Sequence, residues 1–244
     1  MIIYMLLRLR SLPFIALMLL AVVSGCGRRR SAGTEGHSVT GFADYEIVGI
    51  DISAHNGEID FGKVRDEGVS FVLIKATEGG TFKDRRFVEN VRMAREAGLK
   101  VGAYHFFRFD TPGYIQGLNF VNSLRDRELD LPVVIDIEEF TNPNFQATRL
   151  VLERLTEMVE HLERHGYRVM IYTNKKGYAR FIKGRLEGYP LWLCSLGSIP
   201  DGSFDIWQAT HHGRVNGIDS DVDINVYPHS AEDWEKFAGG AIAR

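Results

Sequence analysis

The sequence predicts an α/β fold, a modified TIM-like (β/α)5(β)3 barrel of eight strands with helices mainly after the first five. Three observations lead there. Short, nearly all-apolar runs recur along the chain, as parallel strands covered on both faces require. As far as about residue 185 they alternate with amphipathic stretches that end at a glycine. Beyond that point short strands follow one another without a helical stripe, so the last third of the barrel is expected to lack its outer layer.

The chain has 244 residues, 45% of them hydrophobic, with 29 Lys and Arg against 32 Asp and Glu. That composition supplies one sizeable core, and a net charge of −3 gives a nucleic-acid partner no electrostatic footing. At the amino end, Arg8 and Arg10 precede an apolar run from Leu12 to Val23 that contains Pro13. The run is shorter than the ~20 residues a helix needs to cross a bilayer, so it reads as an export signal. Its close, Val23-Ser24-Gly25-Cys26, resembles the bacterial lipobox. That resemblance implies a lipoprotein signal peptide over residues 1–25 and a lipid on Cys26. The protein would then be anchored to a bacterial membrane, at the outer membrane or cell surface in a Gram-negative host. Cys194 is the only other thiol, so no disulfide staples the fold. Residues 26–44 are polar and Gly/Ser-rich and read as a flexible tether, with the barrel spanning 45–244.

Strands are expected at residues 47–52, 71–74, 101–106, 132–137, 168–172, 191–194, 205–208 and 222–226. Gly68, Gly98 and Gly166 sit just before three of the apolar runs, where a helix C-terminus calls for positive φ. Val151, Leu155, Met158, Val159 and Leu162 form a helical stripe, as do Val88, Val91 and Ala94. No internal repeat is present.

Polar residues that interrupt the apolar strands are the candidates for chemistry. Asp136 and Glu138 lie two apart, so on a strand they share a face about 6.6 Å apart. At the C-terminal end of a barrel strand they would open onto the catalytic mouth; buried elsewhere without partners they would cost several kcal/mol. Asp51 shares a strand face with Gly49, which leaves room beside it. Lys75, Tyr104 and Tyr172 end strands, Trp192 lies within one and Gln208 closes another. Asp223 sits in a run that superficially resembles a calcium loop, but Ile224 stands at the sixth position and Ser230 at the twelfth. His211-His212 lacks the spacing of a zinc helix. No metal and no cofactor are expected, and neither a nucleophile elbow nor a phosphate or dinucleotide loop is present. Acids surrounded by Tyr and Trp suit a sugar polymer, whose CH faces pack on aromatic rings and whose glycosidic bonds two acids can cleave.

Eight segments in order resemble the glycoside hydrolase family 25 muramidases, the Chalaropsis-type lysozymes, from about Val48 to Tyr227. They are Gly49-Ile-Asp-Ile-Ser-Ala-His-Asn56, Ile74-Lys-Ala-Thr-Glu-Gly79, Gly102-Ala-Tyr-His-Phe106, Ile135-Asp-Ile-Glu138, Ile171-Tyr172, Leu191-Trp192, Trp207-Gln208 and Val222-Asp-Ile-Asn225. The resemblance implies a peptidoglycan hydrolase that cuts the β-1,4 bond between N-acetylmuramic acid and N-acetylglucosamine. It makes Glu138 the general acid, kept protonated by partial burial and by like-charge repulsion from an ionised Asp136. Asp51 and Asp223 would stabilise charge at the anomeric carbon, orient the 2-acetamido group or activate water. Lys75, Tyr104, Tyr172, Trp192 and Gln208 would line the groove. The expected partners are glycan strands and, through Cys26, a membrane, with the protein a monomer. Two rivals stand beside this reading: a hydrolase of another amino-sugar polymer such as chitin, and a catalytically silent peptidoglycan-binding lipoprotein.

Overall fold

The strands are, in chain order, β1 (His37–Ser38), β2 (Ile47–Ile52), β3 (Val69–Glu78), β4 (Phe82–Lys83), β5 (Lys100–Phe106), β6 (Val133–Asp136), β7 (Val169–Asn174), β8 (Leu191–Cys194), β9 (Ile206–Arg214) and β10 (Val222–Tyr227). The helices are α1 (Phe61–Asp66), α2 (Phe87–Glu96), α3 (Gly113–Leu124), α4 (Thr148–Arg164), the short α5 (Lys175–Gly177) and α6 (Ala231–Phe237). They belong to a computed structural model that describes residues 37–143 and 145–243. The expected signal peptide, Cys26 and the first part of the expected tether lie outside the described residues.

Eight strands close a ring in the order β2-β3-β5-β6-β7-β8-β9-β10. Neighbours from β2 round to β9 run parallel, and β10 completes the circle antiparallel to both β9 and β2. The eight-stranded α/β barrel is therefore as the sequence implies, with one strand reversed. That reversal has a geometric consequence. The C-terminal ends of seven strands and the beginning of β10 meet at the same mouth, so a residue early in β10 stands level with residues late in β2.

Helices α1 to α4 cover β2, β3, β5 and β6, and α5 with a π-helical turn over Tyr178–Ile182 follows β7. Their apolar faces bury the outer sheet surface in one continuous core. In α2 the inward positions are Phe87, Val91 and Ala94; Val88, expected in the stripe, points outward at 52% exposure. The barrel interior is a separate cluster in which Phe71, Leu73, Leu131, Val134, Met170 and Ile206 interdigitate, each worth about 1.5–3 kcal/mol of burial. Two glycines make room for it. A Cβ on Gly49 would lie 2.4 Å from the Phe71 ring, and one on Gly102 would lie 2.5 Å from Leu73. The space beside Asp51 that the sequence suggests is thus filled by an aromatic ring. Trp234 and Phe237 of α6 plug the barrel floor, with Trp234 5.0 Å from the rings of both Phe71 and Tyr227.

Outside β8 and β9, where no helix follows, residues 37–45 take that place. β1 pairs in parallel with the end of β9, a 3₁₀ turn follows at Val39–Phe42, and Phe42 and Tyr45 meet Trp207 edge-on at 6.1 and 6.2 Å. Residues 37–45, part of which the sequence reading assigned to the tether, thus pair with and pack on the barrel. Residues 37–44 cannot be wholly free, because Trp207, Leu191 and Leu193 on the outer face of the helix-poor third need a cover.

Candidate active site

The barrel register brings the candidate residues to one level. Asp51 pairs directly with Asp223, Lys75 with Tyr104, Asp136 with Tyr172, and Tyr172 with Trp192. Asp51, Lys75, Tyr104, Asp136, Glu138, Tyr172, Trp192, Gln208 and Asp223 all line a single open cleft of about 960 Å³ at the mouth. No candidate from the barrel is left out. Several strand positions differ from expectation. β3 continues three residues beyond Lys75, β5 and β7 each run two residues beyond Tyr104 and Tyr172, β6 ends before Glu138, and Gln208 lies within β9, whose pairing runs on to Arg214.

One amide organises the aspartates. Gln208 donates from Nε2 to Asp51 Oδ2 at 2.9 Å and to Asp223 Oδ2 at 3.0 Å, while its Oε1 accepts from the Tyr172 hydroxyl at 2.7 Å. Asn225 also donates to Asp51 Oδ2, at 2.9 Å, and is itself held by the Trp192 indole N–H at 2.8 Å. Burial, then the Asp223 charge, pushes Asp51 up to about 8, against the pull of the two amide donors. Burial and the Glu138 charge push Asp223 up to about 7. Two carboxylates on one amide nitrogen share a proton around neutrality, so the pair presents about one negative charge to the cleft.

The second pair is arranged differently. β6 ends at Asp136, which is 7% exposed and has Oδ1 buried without a hydrogen-bond partner. Burial first and the Glu138 charge second hold it well above the usual carboxylate range. Glu138, more open, is raised chiefly by burial and pulled back by the Asn174 amide, which donates to its Oε2 at 3.4 Å. Both carboxyls are thus raised by burial, whereas the sequence reading set an ionised Asp136 beside a protonated Glu138. Asn142 fixes the backbone around this pair, donating to the carbonyls of Phe107 and Glu138 and accepting from Phe109 N–H.

Lys75 is committed within the protein. Its Nζ donates to Glu78 at 2.8 Å and lies 5.1 Å from the Phe106 ring centre. The cleft wall also includes Phe140, 70% exposed, next to Thr141 at φ 55, a conformation that a β-branched residue rarely adopts. Arg108 donates to the Thr141 carbonyl at 3.0 Å and holds that loop. Phe140, Asn174, Lys175, Lys176, Cys194 and His211 line the cleft without having been singled out for it. Asn225 was within reach, since it ends the same acidic run as Asp223. For Phe140 and His211 the sequence carries no signal, because loop geometry and strand irregularity place them. Cys194 is no thiolate nucleophile, since burial and the neighbouring acids push its thiol up to about 12. Among the described residues no group of three or more His, Cys, Asp and Glu side chains is arranged to hold a metal ion.

An open barrel mouth with four carboxylates and an aromatic wall is equipped for glycosidic bond cleavage, and comparison with known proteins agrees. The profile of Glycosyl hydrolases family 25 matches residues 50–218. The chain is 33% identical over 207 residues to the uncharacterized protein YegX of Escherichia coli O6:H1, covering 81% of this chain and 75% of that one. It is 32% identical to Lysozyme M1 of Streptomyces globisporus, covering 76% and 69%. Among solved structures, a family 25 glycosyl hydrolase from Bacillus anthracis superposes with a TM-score of 0.75 at 33% identity, covering 80% of this chain and 94% of that one. A lysozyme from Streptomyces coelicolor gives 0.70 at 31% identity, covering 79% and 97%. The profile stops before Asp223, whose place in the cleft follows from its direct pairing with Asp51. By profile, by sequence identity and by fold, this chain belongs to glycosyl hydrolase family 25.

Proposed function

We propose that this protein is an N-acetylmuramidase, a lysozyme that cleaves the β-1,4 bond between N-acetylmuramic acid and N-acetylglucosamine in peptidoglycan. The observation that carries the reading is the convergence of Asp51, Asp136, Glu138 and Asp223 on one open cleft walled by Tyr104, Tyr172 and Trp192. Glu138, raised by burial yet open to the cleft, protonates the leaving oxygen as general acid. The Asp51–Asp223 pair, with its shared negative charge, stabilises the positive charge that develops at the anomeric carbon. Asp136, held well above the usual carboxylate range by burial, stays neutral and adds no second charge beside Glu138. The aromatic side chains seat the sugar rings, Gln208 holds the two aspartates, and Lys75 shapes the wall through Glu78.

The test is cleavage of purified peptidoglycan followed by labelling of new reducing ends. Wild-type protein should release muramic acid ends, and Glu138→Gln should lose at least about 100-fold, the usual contribution of a general acid. Cleavage of chitin oligomers instead, or binding without cleavage, would defeat the proposal. We further propose that Cys26 carries a lipid and that the enzyme acts while anchored to a bacterial membrane. Cys26→Ser should then move the protein from the membrane fraction to the soluble one.

A further inference from the structure

Strand β9 carries more residues than the stretch of β10 it pairs with. Ile224 and Asn225 are consecutive, yet they face Thr210 and Gln208; Val222 and Ile224 are two apart, yet they face Gly213 and Thr210. Each extra residue is a bulge, and each reverses the in-and-out alternation of the residues beyond it. Plain alternation from inward-facing Gln208 would send His211 to the outside of the barrel. With one extra residue, Thr210 turns outward beside Ile224 of the outer core, and His211 turns into the cleft.

There its Nε2 lies 3.1 Å from Gln208 Oε1 and 3.7 Å from Cys194 Sγ. The orientation of the Gln208 amide is forced, because a reversed amide would set its oxygen against both Asp51 and Asp223. An amide oxygen only accepts, so the His211 nitrogen that faces it carries a proton and Nδ1 is left free.

We propose that His211 is a positioning residue for the reaction: its Nε2–H locks the Gln208 amide and, through it, the two aspartates. The inference deepens the muramidase reading and rests on it. The titratable groups that share the cleft with His211 are Asp51, Tyr104, Asp136, Glu138, Tyr172, Cys194 and Asp223, together with His55 and the cations Lys75, Lys175 and Lys176. His212 is engaged elsewhere, 3.0 Å from Asp221. Amid these groups a protonated imidazole favours the ionised carboxylates and pulls both Asp51 and Glu138 down.

His211 is exposed, so its variants should fold, and equal melting temperatures check this. On peptidoglycan, His211→Ala in the full chain should lower kcat about fivefold with KM little changed, as loss of one positioning hydrogen bond implies. The acid limb of its pH–rate profile should move to higher pH. His211→Gln still donates to Gln208 but does not titrate; it should recover kcat and keep the displaced limb. Unchanged kcat and limb in His211→Ala, or a loss that His211→Gln fails to recover, overturns the proposal. A readout free of turnover separates it from the muramidase reading. Carboxyl NMR titration of the full chain should show the first ionisation of the Asp51–Asp223 pair moving up by about half a pH unit in both variants. An unmoved midpoint overturns the proposal even in an active enzyme. A displaced midpoint in a chain that cleaves nothing supports His211 and defeats the muramidase reading alone.

Discussion

Glu138 and Asp136 differ in depth and in the donor that Asn174 offers one and nothing offers the other. Because Asp136 holds its proton, Asp136→Asn replaces one neutral group by another of similar size. The pH–rate profile of that variant should keep its limbs in place, with kcat within about threefold of wild type, the scale of a weak neutral hydrogen bond. A large downward shift of the acid limb would instead restore Asp136 as a charged neighbour. At this scale the sequence was generous with identity and poor with charge state. An acid interrupting an apolar strand is conspicuous, and Asp136 and Glu138 stand out by that; Asp51 and Asp223 took their roles from the family resemblance. Whether each is ionised depends on partners brought from distant strands, such as Gln208 for Asp51 and Asn225 beside it.

The strands themselves were legible because their apolar runs are continuous; β2 and β8 fall at the expected residues. Direction and regularity were not. Nothing in Val222-Asp-Ile-Asn-Val226 says that β10 runs backwards, and bulges in β9 leave no mark on composition. Nor did the polar sequence before Tyr45 advertise that Phe42 would be needed over Trp207. That cover is a prediction about an element. Phe42 and Tyr45 are half-buried on the helix-free flank, so the double variant Phe42→Ala, Tyr45→Ala should cost about 2–4 kcal/mol from lost burial and ring contacts. Chemical denaturation reads this directly, and a loss below about 0.5 kcal/mol, the scatter of surface substitutions, would mean the segment contributes nothing to the barrel.

Over the whole molecule the cleft works against stability. Asp51 is raised from 3.8 to about 8, so between those values the folded state keeps a proton that the unfolded chain releases. Stability from this group is full below about pH 4 and is lost as pH rises through about 8. Asp51→Asn should therefore raise the melting temperature most at pH 8 and hardly at all at pH 4; an equal gain at both would exclude the ionisation as its source. His105 acts in the opposite sense. Buried between Thr77 and Gln116 and pushed down to about 4, it favours the folded state above pH 6.5 and loses that contribution as pH falls. The three tryptophans divide this same body between them: Trp192 beside the cleft, Trp207 on the flank under Phe42 and Tyr45, and Trp234 in the floor. Their fluorescence therefore reports three regions separately. A sugar that quenches emission in the wild type but not in Trp192→Phe has entered the mouth, and a chain whose Trp207 signal reddens first has begun to open along its helix-free side.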